Sequence, residues 1–259
     1  MLPRRESYFV QSRRPLAALV FITPLVLLYE AGTLWFHVDP AARAETRIVA
    51  FNWVRGLFDW LGASGAFVAP LATVAMLLGW HVFARQPWRL RPGVPAAMVG
   101  ESCLLAVPLL LAACCFAMMI RMLNRAPLRE MLVASGHIDV DSAAAAAILG
   151  VGAGIYEELI FRLIGFAILH ALLSDVLGVS ERSTLWITVA ITSVLFAGYH
   201  HLPGTGEAFD AASFTFRTAA GVWLGLVFAA RGLGVAAGTH AAYDVLICVL
   251  PLAISYMAT

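Results

Sequence analysis

The sequence predicts an all-α fold: a polytopic transmembrane helical bundle of about seven or eight spans, with one further helix lying in the membrane interface. Three observations carry this. Of the 259 residues, 61% are hydrophobic and 13% are charged, whereas soluble chains carry about 45–50% apolar and about 25% charged residues. Mean hydropathy is +0.84 over the whole length, so the bias is not one patch. Apolar runs of about 20 residues recur, the length that a helix rising about 1.5 Å per residue needs to cross a hydrocarbon core about 30 Å thick. Together these exclude a soluble enzyme, a disordered chain and a disulfide-stapled scaffold. The net charge of +1 offers no basic field for nucleic acid.

The seven spans are read at 16–36, 66–84, 95–120, 143–173, 184–201, 214–230 and 233–254. Arg4, Arg5, Arg13 and Arg14 precede the first, like a signal-peptide start. Its apolar run exceeds an h-region of about 7–15 residues and no A-x-A site follows, so it reads as a retained helix. Segment 41–62 differs in kind: Ile48, Phe51, Val54, Phe58 and Leu61 recur at helical spacing among Arg43, Glu45, Arg47, Arg55 and Asp59. That pattern suits a helix lying in the interface. Arg85, Arg89 and Arg91 in loop 85–93 place it and the N-terminus in the cytoplasm, while Arg121, Arg125 and Arg129 in loop 121–141 argue the other way.

Residues 1–140 hold N-terminal helices and the interfacial helix, and 141–259 a C-terminal transmembrane core, in one integrated membrane domain. Cys103, Cys114, Cys115 and Cys248 lie in apolar runs without C-x-x-C spacing and read as small packing residues. Gly150/Gly154, Gly221/Gly225 and Gly234/Gly238 each form a G-x-x-x-G pair, which suggests that the fourth, sixth and seventh segments pack closely on one another.

An ionisable side chain at bilayer depth costs about 2.5–3.5 kcal/mol on insertion scales, so each needs a partner or a role. Such residues concentrate in the C-terminal part: Glu157, Glu158, Arg162, His200, His201, Arg217, His240 and Asp244, with Glu30 and Glu101 isolated upstream. Glu158 and Arg162 are four apart and can neutralise each other on one helix face. Glu157 has Phe161 at the corresponding place, so its counterpart must come from another helix. His240 and Asp244 are likewise four apart. His201, beside His200, reads as a solvated loop residue.

A carboxylate and two imidazoles from three helices are ingredients of a water-activating site, because peptide hydrolysis in lipid needs captured water, a base and charge stabilisation. The same four side chains, Glu157, His200, His240 and Asp244, could instead hold zinc with one open water position, although no H-E-x-x-H occurs. Gly62-Ala63-Ser64-Gly65 matches a serine-protease G-x-S-G tetrapeptide, but Ser64 heads the second segment and reads as a helix N-cap. Buried Glu, His and Asp also occur in proton-coupled transporters, whose two related halves are not visible here. A non-catalytic, immunity-like membrane partner is the remaining alternative.

At these residues the chain resembles the CPBP family of intramembrane proteases, which includes CaaX-prenyl-protease and bacteriocin-processing types. Glu157-Glu158-Leu-Ile-Phe-Arg162 matches E-E-x-x-x-R, Phe196-Ala-Gly-Tyr-His200 matches F-x-x-x-H, and His240-Ala-Ala-Tyr-Asp244 matches the third motif, H-x-x-x-N or a variant. The resemblance covers about residues 140–250. It implies a helical membrane fold with a water-filled cavity and a glutamate-centred peptidase site. By carry-over, Glu157 and His200 would activate water, His240 and Asp244 would stabilise the oxyanion, and Glu158 and Arg162 would brace the helix. Asp244 stands where Asn is usual; ionised Asp only accepts hydrogen bonds, so it would be protonated, orient the His240 ring by accepting from it, or serve as a metal ligand. The implied substrate is a membrane-associated protein or peptide, the implied partner the lipid bilayer. No cofactor is implied, zinc remaining possible. All 17 basic residues are Arg, and with the short loops this points to a multi-pass protein of a bacterial cell membrane. No oligomeric state can be read.

Overall fold

A computed structural model describes residues 6–36, 38–39, 44–45, 47–124, 140–202 and 208–257. Short α1 (Tyr8–Ser12) leads into α2 (Pro15–Phe36), which keeps Pro24 inside it. Two residues on each side, β1 (Val38–Asp39) and β2 (Ala44–Glu45), pair antiparallel. There follow α3 (Val49–Trp60), α4 (Val68–Phe83) and α5 (Gly93–Asn124). Next, α6 (Val140–Glu158) continues without a break through π-helical Leu159–Ile164, α-helical Gly165–His170 and π-helical Ala171–Val176. The chain closes with α7 (Glu181–Tyr199), α8 (Ala211–Arg231) and α9 (Leu233–Met257). Beyond the two-residue pairing, the architecture is an all-α membrane bundle.

Among the described residues, four helices are long and apolar enough to cross a membrane: α2, Gly93–Met119 of α5, Ser142–Val176 and α8. Val68–Phe83 and the Leu233–Val249 part of α9 are apolar as well. Helix α7 is less apolar for a chemical reason: it opens on Glu181 and Arg182 and carries Ser183, Thr184, Thr188, Thr192 and Ser193. Several of these hydroxyls donate back to carbonyls one turn earlier, Thr192 to Thr188 at 2.8 Å and Ser193 to Val189 at 2.6 Å, so they are satisfied without water.

The interfacial helix starts at Val49 rather than 41. Ala44 and Glu45 are in the short ladder, and 41–43 and 46 lie outside the described residues. It buries Ala50, Phe51 and Val54 and leaves Trp53, Leu57, Trp60 and Leu61 exposed, an amphipathic division suited to the headgroup boundary. Ser64 does not cap α4: the N-cap is Phe67, three residues later. Three of the four cysteines, Cys103, Cys114 and Cys115, are exposed on the bundle exterior rather than packed inside. Arg125 and Arg129 lie outside the described residues.

The core gathers α2, α3, α6, α7 and α9 around Tyr29, Phe51, Ile155, Tyr156 and Leu159. Helix α6 packs most extensively on α9. Glycine makes this approach possible, since a Cβ at Gly154 would stand 2.7 Å from both the Ala237 carbonyl and the Ala241 amide of α9. The fourth and seventh segments thus meet as expected. The sixth does not join them through its glycines: Gly221 and Gly225 face Ser193 and Val189 of α7. Gly232, at φ 82°, ends α8 and lets α9 begin one residue later. These contacts set the last turn of α6 against the second turn of α9, where the acidic pair and His240 lie.

Candidate active site

Glu157 and Glu158 close the regular part of α6, and the helix widens to π geometry immediately after them. The sequence suggests a kink in this long segment; the structure uses π turns, which often occur at functional sites. Adjacent positions point about 100° apart on a helix, so the two carboxylates take different neighbours. Glu157 is 4% exposed and Glu158 wholly buried.

The Glu157 carboxylate lies 3.8 Å from Nε2 of His200 and 3.9 Å from Nε2 of His240. The three side chains come from α6, from the C-cap of α7 and from α9. Nδ1 of His200 lies 2.8 Å from the Phe196 carbonyl. A carbonyl only accepts, so Nδ1 carries the hydrogen and Nε2 presents its lone pair toward Glu157 when the ring is neutral.

His240 is held differently. Its Nδ1 lies 2.9 Å from Glu158, and Glu158 in turn contacts Arg162 at 3.1 Å. Arg162 is fully buried, donates to the Gly221 carbonyl of α8 at 3.2 Å and lies over the Phe196 ring at 4.6 Å. One guanidinium therefore joins α6, α7 and α8 while its carboxylate partner orients the ring from α9. Asp244 does not provide that support. Its carboxylate is 3.6 Å from Nε2, on the opposite side of the ring and beyond hydrogen-bond reach. The expected acceptor for the ring was Asp244; it is Glu158.

These groups border a cavity of about 320 Å³ lined by Glu157, His200, Arg217, His240, Tyr243 and Asp244 among apolar side chains. Arg217 donates to Ser213 at 2.9 Å and brings a cation into the same space. The sequence marks it as an intramembrane charge without placing it in the site. Tyr199 is the other residue left unread: it accepts the Ala50 N–H at 2.8 Å and packs edge-on against the His200 ring at 4.9 Å. Its only sequence signal is adjacency to His200. His201 turns away, its Nδ1 meeting the Ala208 carbonyl at 3.1 Å.

The isolated upstream carboxylates have arginine partners. Glu30 meets Arg47 at 2.9 Å, with that guanidinium over the Phe51 ring at 4.6 Å. Glu101 is gripped by Arg231 and also accepts from Tyr8. In α1, outside the spans, burial and the Glu101 charge push the Tyr8 phenol up to about 12.

With this geometry in place, comparison of the sequence with protein families gives one match: residues 139–246 fit the family described as Type II CAAX prenyl endopeptidase Rce1-like. Over these residues the chain is similar to that family. The match spans Glu157, Glu158, Arg162, His200, His240 and Asp244 and indicates an intramembrane protease. No curated protein and no solved structure gives a significant match. The matched segment covers α6 to most of α9; the region before it holds the Glu30–Arg47 pair and supplies Glu101 to Arg231 of α8.

Proposed function

We propose that the chain is a glutamate-type intramembrane endopeptidase acting on a membrane-associated protein or peptide. The carrying observation is the spacing of the Glu157 carboxylate from two imidazole nitrogens, 3.8 and 3.9 Å, inside a cavity walled by apolar helices. Both distances are too long for direct hydrogen bonds and suit one shared water. In this reading Glu157 takes a proton from that water, with the Nε2 lone pair of His200 orienting it. The hydroxide attacks the peptide carbonyl; the C–N bond breaks once Glu157 returns the proton to the leaving nitrogen.

His240 acts as an imidazolium, donating from Nδ1 to Glu158 and from Nε2 to the developing oxyanion. Glu158 and Arg162 hold that ring in place. Asp244 and Arg217 flank the oxyanion side and adjust its charge. We assign no metal. The donor set could take zinc by ligand type, but Arg217 lines the same cavity and a guanidinium opposes a divalent cation there.

The test is reconstitution of the purified protein in vesicles with membrane-anchored peptides, with products identified by mass spectrometry. Cleavage at a defined bond, lost in both His200→Ala and His240→Ala while the protein stays folded, supports the reading. Binding without cleavage across a broad peptide set indicates a non-catalytic membrane partner. Proton flux coupled to uptake of a solute indicates a transporter.

A further inference from the structure

Three connections of the chain meet at one end of the bundle. Arg231, the last residue of α8, reaches α1, donating to the Ser12 hydroxyl at 2.8 Å and to the Phe9 carbonyl at 3.4 Å. Gly232 sets the α8–α9 turn against the Arg13 backbone, where an added Cβ would stand 3.3 Å from the Arg13 Cα. The loop after α4 is pinned there as well, its Arg91 amide donating to the Gln11 side chain at 3.2 Å. Between them lies a cavity of about 410 Å³ walled by Arg13, Arg14, Arg231 and Gln86 and by apolar Phe9 and Val10. It shares no lining residue with the Glu157 cavity.

The cavity holds more positive than negative charge. Arg14 is paired with Glu6 and Arg231 with Glu101, which fixes both guanidiniums in place. A guanidinium has five N–H donors, so one carboxylate does not exhaust it. Arg13 meets only a carbonyl, that of Ala229 at 3.3 Å. Among the described residues Arg13, Arg85, Arg89 and Arg91 have no acidic partner. The position is that of a membrane boundary. The apolar span of α2 begins at Pro15 and that of α8 ends at Arg231. Phe9, Val10 and Trp88 are exposed close to these cations in the chain, an apolar and aromatic surface suited to the headgroup level.

We propose that this cavity binds the phosphodiester headgroup of an anionic phospholipid, Arg13, Arg14 and Arg231 donating to its oxygens while Phe9 and Val10 lie against the start of its acyl chains. Basic pockets between helices at a membrane face take such headgroups, and planar guanidiniums match the geometry of phosphate oxygens. A free phosphate offers the same oxygens but gives the apolar wall nothing to cover. The site is independent of the hydrolase reading above.

The experiment uses the purified chain in detergent. Native mass spectrometry reads retained lipid, and thermal unfolding is followed with added phosphatidylglycerol, phosphatidylcholine or inorganic phosphate at matched ionic strength. Phosphatidylglycerol should be retained and should raise the melting temperature, while phosphatidylcholine and inorganic phosphate do neither. Arg13→Gln should weaken phosphatidylglycerol binding about fivefold, the worth of one arginine beside an anionic headgroup. Gln86→Glu brings a carboxylate to the wall from a different element and should weaken binding at least as much. Gln86 is exposed, so this variant keeps the fold even where loss of the Arg13–Ala229 contact disturbs the other. Arg55→Gln, in α3 and outside the cavity, should bind like the parent. Parental phosphatidylglycerol binding in folded Gln86→Glu overturns the proposal, as does equal retention of phosphatidylcholine or an equal loss in Arg55→Gln. Protection by inorganic phosphate matching that by the lipid would assign the cavity to a soluble phosphate and overturn the lipid reading.

Discussion

Nδ1 of His240 stands 2.9 Å from the carboxylate of Glu158, which sits 82 residues earlier in the chain and also meets Arg162 at 3.1 Å. The second glutamate of the acidic pair therefore does more than neutralise an arginine on its own helix. It orients the imidazole whose Nε2 faces Glu157 and Asp244.

Because the ring is held by Glu158, Asp244→Asn should keep cleavage within about tenfold of the parent, far less than the hundredfold or greater cost of a lost oxyanion donor. Steady-state rates of the purified variant decide this. A loss beyond a hundredfold would show that Asp244 supports the reaction directly across the 3.6 Å gap.

Arg162→Ala should act on the fold before the chemistry. It takes the guanidinium away from the wholly buried Glu158 carboxylate, leaving only His240 beside it, and removes the contact to the Gly221 carbonyl. Breaking a buried pair in this way costs about 3–5 kcal/mol. Detergent-solubilised protein should run as less monodisperse material and unfold at lower temperature. An unchanged melting profile would contradict the bracing role.

Much of this was legible in the sequence, for a specific reason. Apolar runs and unpaired charges are local signals, so the helices appear near their expected bounds, and the need of Glu157 for a partner on another helix follows from Phe161 four residues on. The Glu158–His240 bond is not local. No spacing rule connects two residues on helices whose approach depends on Gly154. Tyr199 was hidden for a different reason, since a tyrosine in an apolar helix reads as packing until its hydroxyl is seen to accept the Ala50 N–H of α3. The i,i+4 pattern of His240 and Asp244 was correct as geometry and wrong as the support of the ring, because the nearer carboxylate came from elsewhere.

Gly154→Ala tests that helix approach. The added Cβ would meet two backbone atoms of α9 at 2.7 Å, neither of which can move alone, so α6 and α9 must separate. The stability loss should be about 1–3 kcal/mol, with activity falling further as His240 withdraws from Glu157 and Glu158. Gly56→Ala, on the exposed side of α3 with nothing within 4 Å, serves as the neutral control. Equal melting temperatures for the two variants would contradict the close-packing account.

Exhaustive chelation should leave turnover unchanged, and elemental analysis of the purified protein should find no stoichiometric zinc. Activity that disappears with chelator and returns with zinc would replace the water-activating glutamate by a metal centre.

The central claim rests on Glu157 as the base, and its most direct test is Glu157→Gln, which keeps the shape and removes the negative charge. The account predicts folded protein with the parental melting temperature and a turnover lower by about 10²–10⁴-fold, the contribution of a general base. Cleavage within a few-fold of the parent by well-folded Glu157→Gln protein would contradict it.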